Sequence, residues 1–247
     1  MLIGILKNAL GISKNKSVKI LMYHHVMPKN VCNTDNLYVT LENLDQQFSH
    51  IKEHYTTVFF RDLENNKGIE NKLIITFDDG YFDNLEYLIP LLKKHQLKAT
   101  LFIPTHLIKE NEREEEKKFM NFEEIKSLPS DCIEIALHSH THRNLSEISI
   151  EEAEKDLLDN MKFLEQNQIQ FTKVLAYPYG RFPRKQPEKK IFFQMLEKIG
   201  IQSALRIGNT LESYPWKNKY EINRIDIQYK DDFSRFKWKL RLGKLKL

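Results

Sequence analysis

Two carboxylates stand side by side at Asp78 and Asp79, directly after the apolar run Leu73–Phe77, within Thr76-Phe77-Asp78-Asp79-Gly80. Downstream comes a histidine cluster, His138-Ser139-His140-Thr141-His142. Adjacent residues at a strand end can face differently, so one carboxylate is free to hold a cation while its neighbour accepts a proton. His138 and His142 are four positions apart, a spacing that brings both imidazoles to one side of a helical turn or compact loop, where neutral nitrogens bind a zinc-type cation. Asp79 would complete a His/His/Asp set with positions left for water, whose pKa such a cation lowers to about 7. Taken singly, a double-Asp turn is equally a helix cap or a solvated loop, and a histidine-rich turn equally a packed one. Two such segments, each following a predicted strand, converge if both strands belong to a barrel whose C-terminal ends share a mouth. His140, between the proposed ligands, is expected to point away and serve packing or support of the ligands.

The elements that must position these residues alternate short β-rich runs with longer helical patterns, as βαβ units do. The runs predict strands at Val18–Tyr23, Thr57–Phe60, Leu73–Phe77, Ala99–Ile103, Ile133–Leu137, Lys173–Tyr177, Gln202–Ile207 and Ile222–Gln228. Helices are expected at Leu41–Glu53, Leu85–His95, Phe122–Ser127, Ile150–Asn167 and Pro187–Ile199. The fourth has the clearest signal: Ser149 is placed to cap it, Glu152 follows three residues on, and Ala153, Leu157, Leu158, Met161 and Leu164 form an apolar stripe. The mixed charge run Lys109–Lys118 reads as a solvated loop or helix end.

With 247 residues, 41% hydrophobic and 29% charged, the chain has the composition of one globular domain. Six of its 38 basic residues lie after residue 234, leaving 32 against 34 acidic ones in the part before. The net positive charge therefore belongs to the tail, which argues against a nucleic-acid partner. Cys32 and Cys132 form no metal-binding or disulfide pattern. The N-terminal stretch has an apolar face interrupted by Lys7, Asn8, Lys14 and Lys16. It is read as uncleaved, from which a cytoplasmic protein is expected.

Together the motifs resemble the polysaccharide deacetylases of carbohydrate esterase family 4, the NodB homology domain. The family's Thr-Phe-Asp-Asp-Gly motif stands unchanged at Thr76–Gly80, its two-histidine motif matches His138 and His142, and its Pro-Tyr-Gly turn matches Pro178-Tyr179-Gly180. The resemblance implies an α/β fold, a deformed (β/α) barrel of about seven strands, and metal-dependent removal of acetyl groups from an N-acetylhexosamine-containing saccharide. It implies Asp78 as general base, Asp79, His138 and His142 as ligands of Zn2+ (or Co2+ or Ni2+), and Pro178, Tyr179 and Gly180 at the substrate. A backbone N–H near Tyr179 would face the developing oxyanion.

Two departures stand out. The family's common arginine two residues before the proline is Ala176 here, so Arg224 is the expected tuner of Asp78, with Arg61 and Arg181 behind it. The common late Leu-x-His is missing, since no histidine follows His142. Tyr23-His24-His25 follows the first strand, and both this start and Ala176-Tyr177-Pro178-Tyr179-Gly180 resemble the poly-N-acetylglucosamine deacetylase branch. There the acid comes from the N-terminus, which points to His24, with His25 second. Rival readings are an O-deacetylase, a small-molecule amidohydrolase, and a metal-retaining carbohydrate-binding relative without catalysis.

Aromatic residues near these motifs are candidates to stack on sugar faces. Tyr177 is read as core, whereas Trp216, in Tyr214-Pro215-Trp216, is assigned to the substrate. The tail from Arg235 to Leu247 alternates cations with large apolar residues, which suits either a strand or a segment lying on the anionic face of the cytoplasmic membrane. The expected organisation is an amphipathic segment at 1–17, a catalytic domain at 18–234 and a basic tail at 235–247. No stretch approaches the roughly 20 apolar residues of a spanning helix.

Overall fold

The computed structural model describes residues 17–31, 35–63, 71–111 and 117–243. The N-terminal segment up to residue 16, Cys32, the middle of the charge run and the last four residues lie outside this range. In chain order the elements begin with β1 (Ser17–Tyr23), β2 (His25–Met27), β3 (Tyr38–Thr40), α1 (Leu41–His54), β4 (Thr56–Thr57), β5 (Lys72–Asp78), α2 (Ile89–His95) and β6 (Ala99–Ile103). Then come α3 (Thr105–Asn111), α4 (Phe122–Lys126), β7 (Ile133–Leu137), α5 (Ile150–Gln166), β8 (Thr172–Ala176), α6 (Glu188–Lys198), β9 (Ser203–Ile207), β10 (Glu212–Ser213), β11 (Ile222–Asp226) and α7 (Phe233–Leu242).

Seven parallel strands close a barrel in the order β1-β11-β9-β8-β7-β6-β5, with β5 pairing back to β1. The closing pair keeps register from Lys19 opposite Leu73 to Tyr23 opposite Phe77. Period-2 alternation sorts each strand into two apolar layers. Ile20, Ile74, Phe102, Ala136, Val174 and Leu205 meet inside the barrel. Leu21, Ile75, Leu101, Ile135 and Leu175 face outwards into the cluster that the helices cover. The barrel strands β5, β6 and β7 are thus buried on both sides, which is why the sequence shows them as near-continuous apolar runs.

The helices start where their caps say. Ser149 accepts from Glu152 N while Glu152 reaches back to Ser149 N, a full capping box, and Asn121 and Glu124 repeat it at α4. The expected helices match within a residue or two at each end, except that residues Asn84–Leu88 ahead of α2 form a π turn. β2, β3, β10 and α3 were not expected, and two expected stretches take another form. The strand expected over Thr57–Phe60 is only Thr56–Thr57, because the Glu134 carboxylate accepts Phe60 N–H at 3.0 Å and Arg61 N–H at 3.1 Å and draws the chain into a 3-10 turn at Phe60–Asp62. The described part of the alternating tail, up to Leu242, lies in a helix, α7: Asp232 caps it by accepting from Arg235 N, and Phe236 and Leu240 are buried in the outer cluster.

Glu134 is also the polar knot of the barrel's N-terminal end. It is 1% exposed, and Thr100 Oγ1 and Thr172 Oγ1 donate to it at 2.8 and 2.9 Å in addition to the two backbone groups. Replacing it would strand four donors in an apolar interior, at about 1–3 kcal/mol for each that water cannot reach. Glu134→Ala is therefore expected to lower the unfolding free energy by about 3 kcal/mol or more, read as a drop in the urea midpoint at unchanged m-value.

Candidate active site

β5 delivers the two carboxylates in different directions. Asp78 is the last strand residue and continues the inward-facing alternation, whereas Asp79 turns into the left-handed region with φ 74° and Gly80 follows at 70°. A side chain at position 80 would place its Cβ 2.8 Å from Ile103 Cδ1, so a glycine fits the turn. Ser139, His142 and Tyr179 also have positive φ, at 64°, 55° and 57°. Four such non-glycine residues around one mouth are backbone conformations that the surrounding structure must hold in place.

The ligand candidates meet. His142 Nε2 lies 3.2 Å from His138 Nε2 and 3.2 Å from Asp79 Oδ1, and His138 Nε2 lies 3.4 Å from Asp79 Oδ1. These separations fit one face of a coordination tetrahedron, since bonds of about 2.0–2.1 Å give edges of about 3.3–3.4 Å. The chemistry of the donors fits as well. His138 Nδ1 lies 2.8 Å from Ala176 O; a carbonyl only accepts, so Nδ1 carries the proton and Nε2 keeps its lone pair. Asp79 Oδ1 is buried without a hydrogen-bond donor, a position that a cation would satisfy. Burial alone would push the Asp79 carboxyl up, yet the imidazoles of His138 and His142 hold it well below the usual carboxylate range.

The turn that carries the histidines is held by Asp156 of α5, 3% exposed. Its carboxylate accepts His140 N–H at 2.9 Å, Thr141 N–H at 3.1 Å and the Thr141 hydroxyl. His140 itself points away, bonded through Nδ1 to Thr105 Oγ1 at 2.8 Å and stacked on Phe163.

Asp78 belongs to a second constellation. Arg224 Nη1 and Nη2 donate to its two oxygens at 2.6 and 2.7 Å, a bidentate pair with both side chains buried. Nη1 also donates to Thr76 Oγ1 at 3.2 Å, and that hydroxyl donates to Leu21 O at 2.7 Å. Burial raises the Asp78 carboxyl; the Arg224 guanidinium outweighs it and holds the group below its ordinary value. Asp78 Oδ2 lies 3.9 Å from His138 Nε2 and 3.8 Å from His24 Nε2, so the carboxylate borders the ligand triangle on one side and His24 on the other. Burial lowers the His24 pKa, against the pull of Asp78 and Asp79.

His25 is occupied elsewhere: Nδ1 is 2.5 Å from Asp83 Oδ2 and the ring lies between Tyr38 and Tyr81. Of the alternative arginines, Arg61 donates to Ser130 O and lies over Phe59, and Arg181 is exposed. Asp226, two residues after Arg224 on β11, was not anticipated. It lines the same cavity, burial raises its carboxyl, and its charge acts on His24. Its signal was the i, i+2 spacing from Arg224, which puts both on one face of the strand.

These residues surround a cavity of 420 Å³ whose walls include Leu37, Lys118, Tyr179 and Gly180. Tyr179 is 61% exposed, with its ring 4.9 Å from that of His142; Pro178 is buried behind it. Tyr177 is core, its hydroxyl donating to Tyr220 O. Trp216 is not part of this cavity. With Tyr214 it packs on the inner barrel cluster and lines a separate hollow of 700 Å³ with Phe60, Arg61, Thr172 and Ser203, at the starts of β8 and β9. The assignment of Trp216 to the substrate at the metal site is thereby corrected: the residue precedes β11 and so lies at the opposite barrel mouth.

The polysaccharide deacetylase family model matches residues 65–202, a span that includes both carboxylates, both histidines and the Pro-Tyr-Gly turn. The chain belongs to the polysaccharide deacetylase family. It is 27% identical over 198 residues to a putative polysaccharide deacetylase, YxkH, of Bacillus subtilis, an alignment covering 78% of this chain and 65% of that one, just under two thirds of its length. It is 28% identical over 238 residues to the poly-beta-1,6-N-acetyl-D-glucosamine N-deacetylase of Staphylococcus aureus, covering 86% and 79%. Among solved structures, the fold is similar to the Streptococcus pyogenes deacetylase PplD, with TM-score 0.77 at 21% identity over 93% of this chain and 99% of that one. IcaB from Ammonifex degensii gives 0.71 at 18%, over 90% and 97%. Both likenesses are likenesses of fold.

Two substitutions test the geometry. Asp156→Ala removes three bonds from the histidine turn and is expected to weaken zinc binding about 10–100-fold, measured by competition with a chelating dye. Arg224→Met leaves Asp78 buried without its partner and is expected to cost about 3–5 kcal/mol of stability. The pair Asp78→Asn with Arg224→Met should recover most of that loss, whereas additive losses in a double-mutant cycle would show that the two groups act independently.

Proposed function

We propose that the protein hydrolyses the acetamide of an N-acetylhexosamine-containing saccharide, using a divalent transition metal held by Asp79, His138 and His142. The observation that carries this reading is the juxtaposition of an open three-donor triangle with a separately anchored carboxylate, Asp78, at one barrel mouth. The bound metal would supply Lewis acidity toward a carbonyl oxygen and toward water.

In this reading Asp78 takes the proton of the attacking water. Arg224 fixes the carboxylate in plane and keeps it ionised, leaving the remaining lone pairs of Oδ2 toward the cavity. His24, on the far side of Asp78, donates a proton to the departing amine. The backbone N–H of Tyr179 is the proposed donor to the carbonyl oxygen as negative charge grows on it. Burial of His138, Asp78 and Asp79 to 5% exposure or less keeps bulk water from weakening these interactions. The saccharide as substrate class is supported by the names of the relatives and by a cavity within the range of small-molecule sites.

Zinc-loaded protein is expected to release acetate from N-acetylglucosamine oligomers. Asp78→Asn should reduce the turnover about 10²–10⁴-fold with metal content unchanged. His24→Ala should lower kcat by a similar order at unchanged metal content; near-normal turnover would remove it from the mechanism. Release from O-acetylated sugars alone, with none from N-acetyl ones, would move the reading to an esterase.

A further inference from the structure

The catalytic mouth leaves α7 without a role. This helix covers the outer cluster with Phe236 and Leu240, 0% and 1% exposed, and Lys239 turns inward to donate to Asp226 O at 2.7 Å and to pair with Asp231. At 3.6 residues per turn, the opposite face presents Lys237, Arg241, Ser234, Trp238, Leu242 and Arg235 in that angular order. An apolar pair, Trp238 and Leu242, one turn apart and 47% and 56% exposed, is therefore flanked by cations on both sides.

Three features make this face unlike an ordinary solvated one. No acidic residue follows Asp232 in the sequence. Among the described residues Arg235, Lys237 and Arg241 form no ion pair; Lys237 and Arg241 lie instead over the rings of Phe233 and Trp238. The sequence beyond the helix continues as Lys244-Leu245-Lys246-Leu247, with the same two residue types. A soluble monomer gains nothing from a tryptophan and a leucine held side by side in water, whereas an amphipathic ring at lipid headgroup level and cations against phosphates are what an interface favours.

We infer that the outer face of α7 binds the surface of an anionic bilayer, with Trp238 and Leu242 entering the headgroup region and Arg235, Lys237 and Arg241 against lipid phosphates. The helix ends at Gly243, whose Cα is packed so closely on Asn209 O that an added Cβ would lie 2.6 Å from it. Asn209 follows β9 and, through Oδ1, accepts Asp226 N–H. The contact therefore sits beside the mouth that holds the metal-ligand candidates, so a protein bound this way would work on saccharide carried at or near a membrane. The membrane contact does not depend on the proposed deacetylation, because none of its residues touches the cavity.

The test uses the full chain with sedimented vesicles of equal phosphatidylglycerol and phosphatidylcholine, and with phosphatidylcholine alone. Binding is expected to the first and not the second, and to fall as salt rises. Each cation near such a surface strengthens binding about fivefold. The triple substitution Arg235→Gln, Lys237→Gln and Arg241→Gln should thus weaken it on the order of a hundredfold, with thermal stability unchanged. In a Trp216→Phe background Trp238 is the remaining tryptophan, and its emission should shift to the blue on adding the anionic vesicles. Equal binding by the triple variant, no binding to the anionic vesicles, or equally tight binding to duplex DNA with no shift of Trp238 on vesicles would each overturn the inference.

Discussion

The structure depends on one ion pair. Arg224 of β11 and Asp78 of β5 meet as a bidentate, almost fully buried couple inside the barrel, and the strands that carry them are not neighbours: β1 lies between. A guanidinium and a carboxylate removed from water each lose several kcal/mol of solvation. They regain it only through good geometry, which here means two short parallel hydrogen bonds, Thr76 Oγ1 as a further acceptor and the Phe102 ring 5.4 Å from the guanidinium. Replacing such a pair by an apolar filling of the same space is often neutral or stabilising. Its value is orientation, because Asp78 cannot swing toward the metal ligands or be neutralised by burial while Arg224 holds it.

Around that pair, the site divides its acidic groups by environment. Asp78 faces a cation of the protein, and Asp79, its sequence neighbour, faces two imidazoles through a reversed backbone turn. Asp226 accepts from Gln228 Nε2, and burial raises it against that bond and against the nearby charges of Lys239 and His24. Three carboxylates in one cavity thus have three different proton affinities from one peptide flip and one arginine. Separating the affinities of neighbouring groups in this way is how a fold runs acid and base steps in the same small volume.

Much of this was legible in the sequence because it is local. Asp78-Asp79-Gly80 had to end a strand, His138 and His142 had to share a turn, and the Ser149–Glu152 box marked the start of α5 to the residue. Arg224 was legible only by elimination, once Ala176 was seen to lack a charge. Trp216 was misplaced because nearness along the chain was read as nearness to the site. In a barrel the decisive fact is whether a residue follows a strand or precedes one, and Trp216 precedes β11. Of the two readings of the tail, the strand is excluded for α7: its alternating letters suit one, but Asp232 and the spacing of Phe233, Phe236 and Leu240 carry a helix. The shortened β4 was beyond reach, since it follows from a carboxylate 74 positions away at Glu134.

The position of β1 has a consequence for how the molecule comes into being. The first strand of the barrel, β1, is clasped between the second barrel strand to be made, β5 from the first third of the chain, and the last, β11. The ring therefore stays open on the ribosome until residues near 226 have emerged, and His24 reaches its place only as the circle is sealed. A fragment lacking β1 would lose a wall of the barrel together with His24 from the cavity lining, and one lacking β11 would lose a wall together with Arg224 and Asp226.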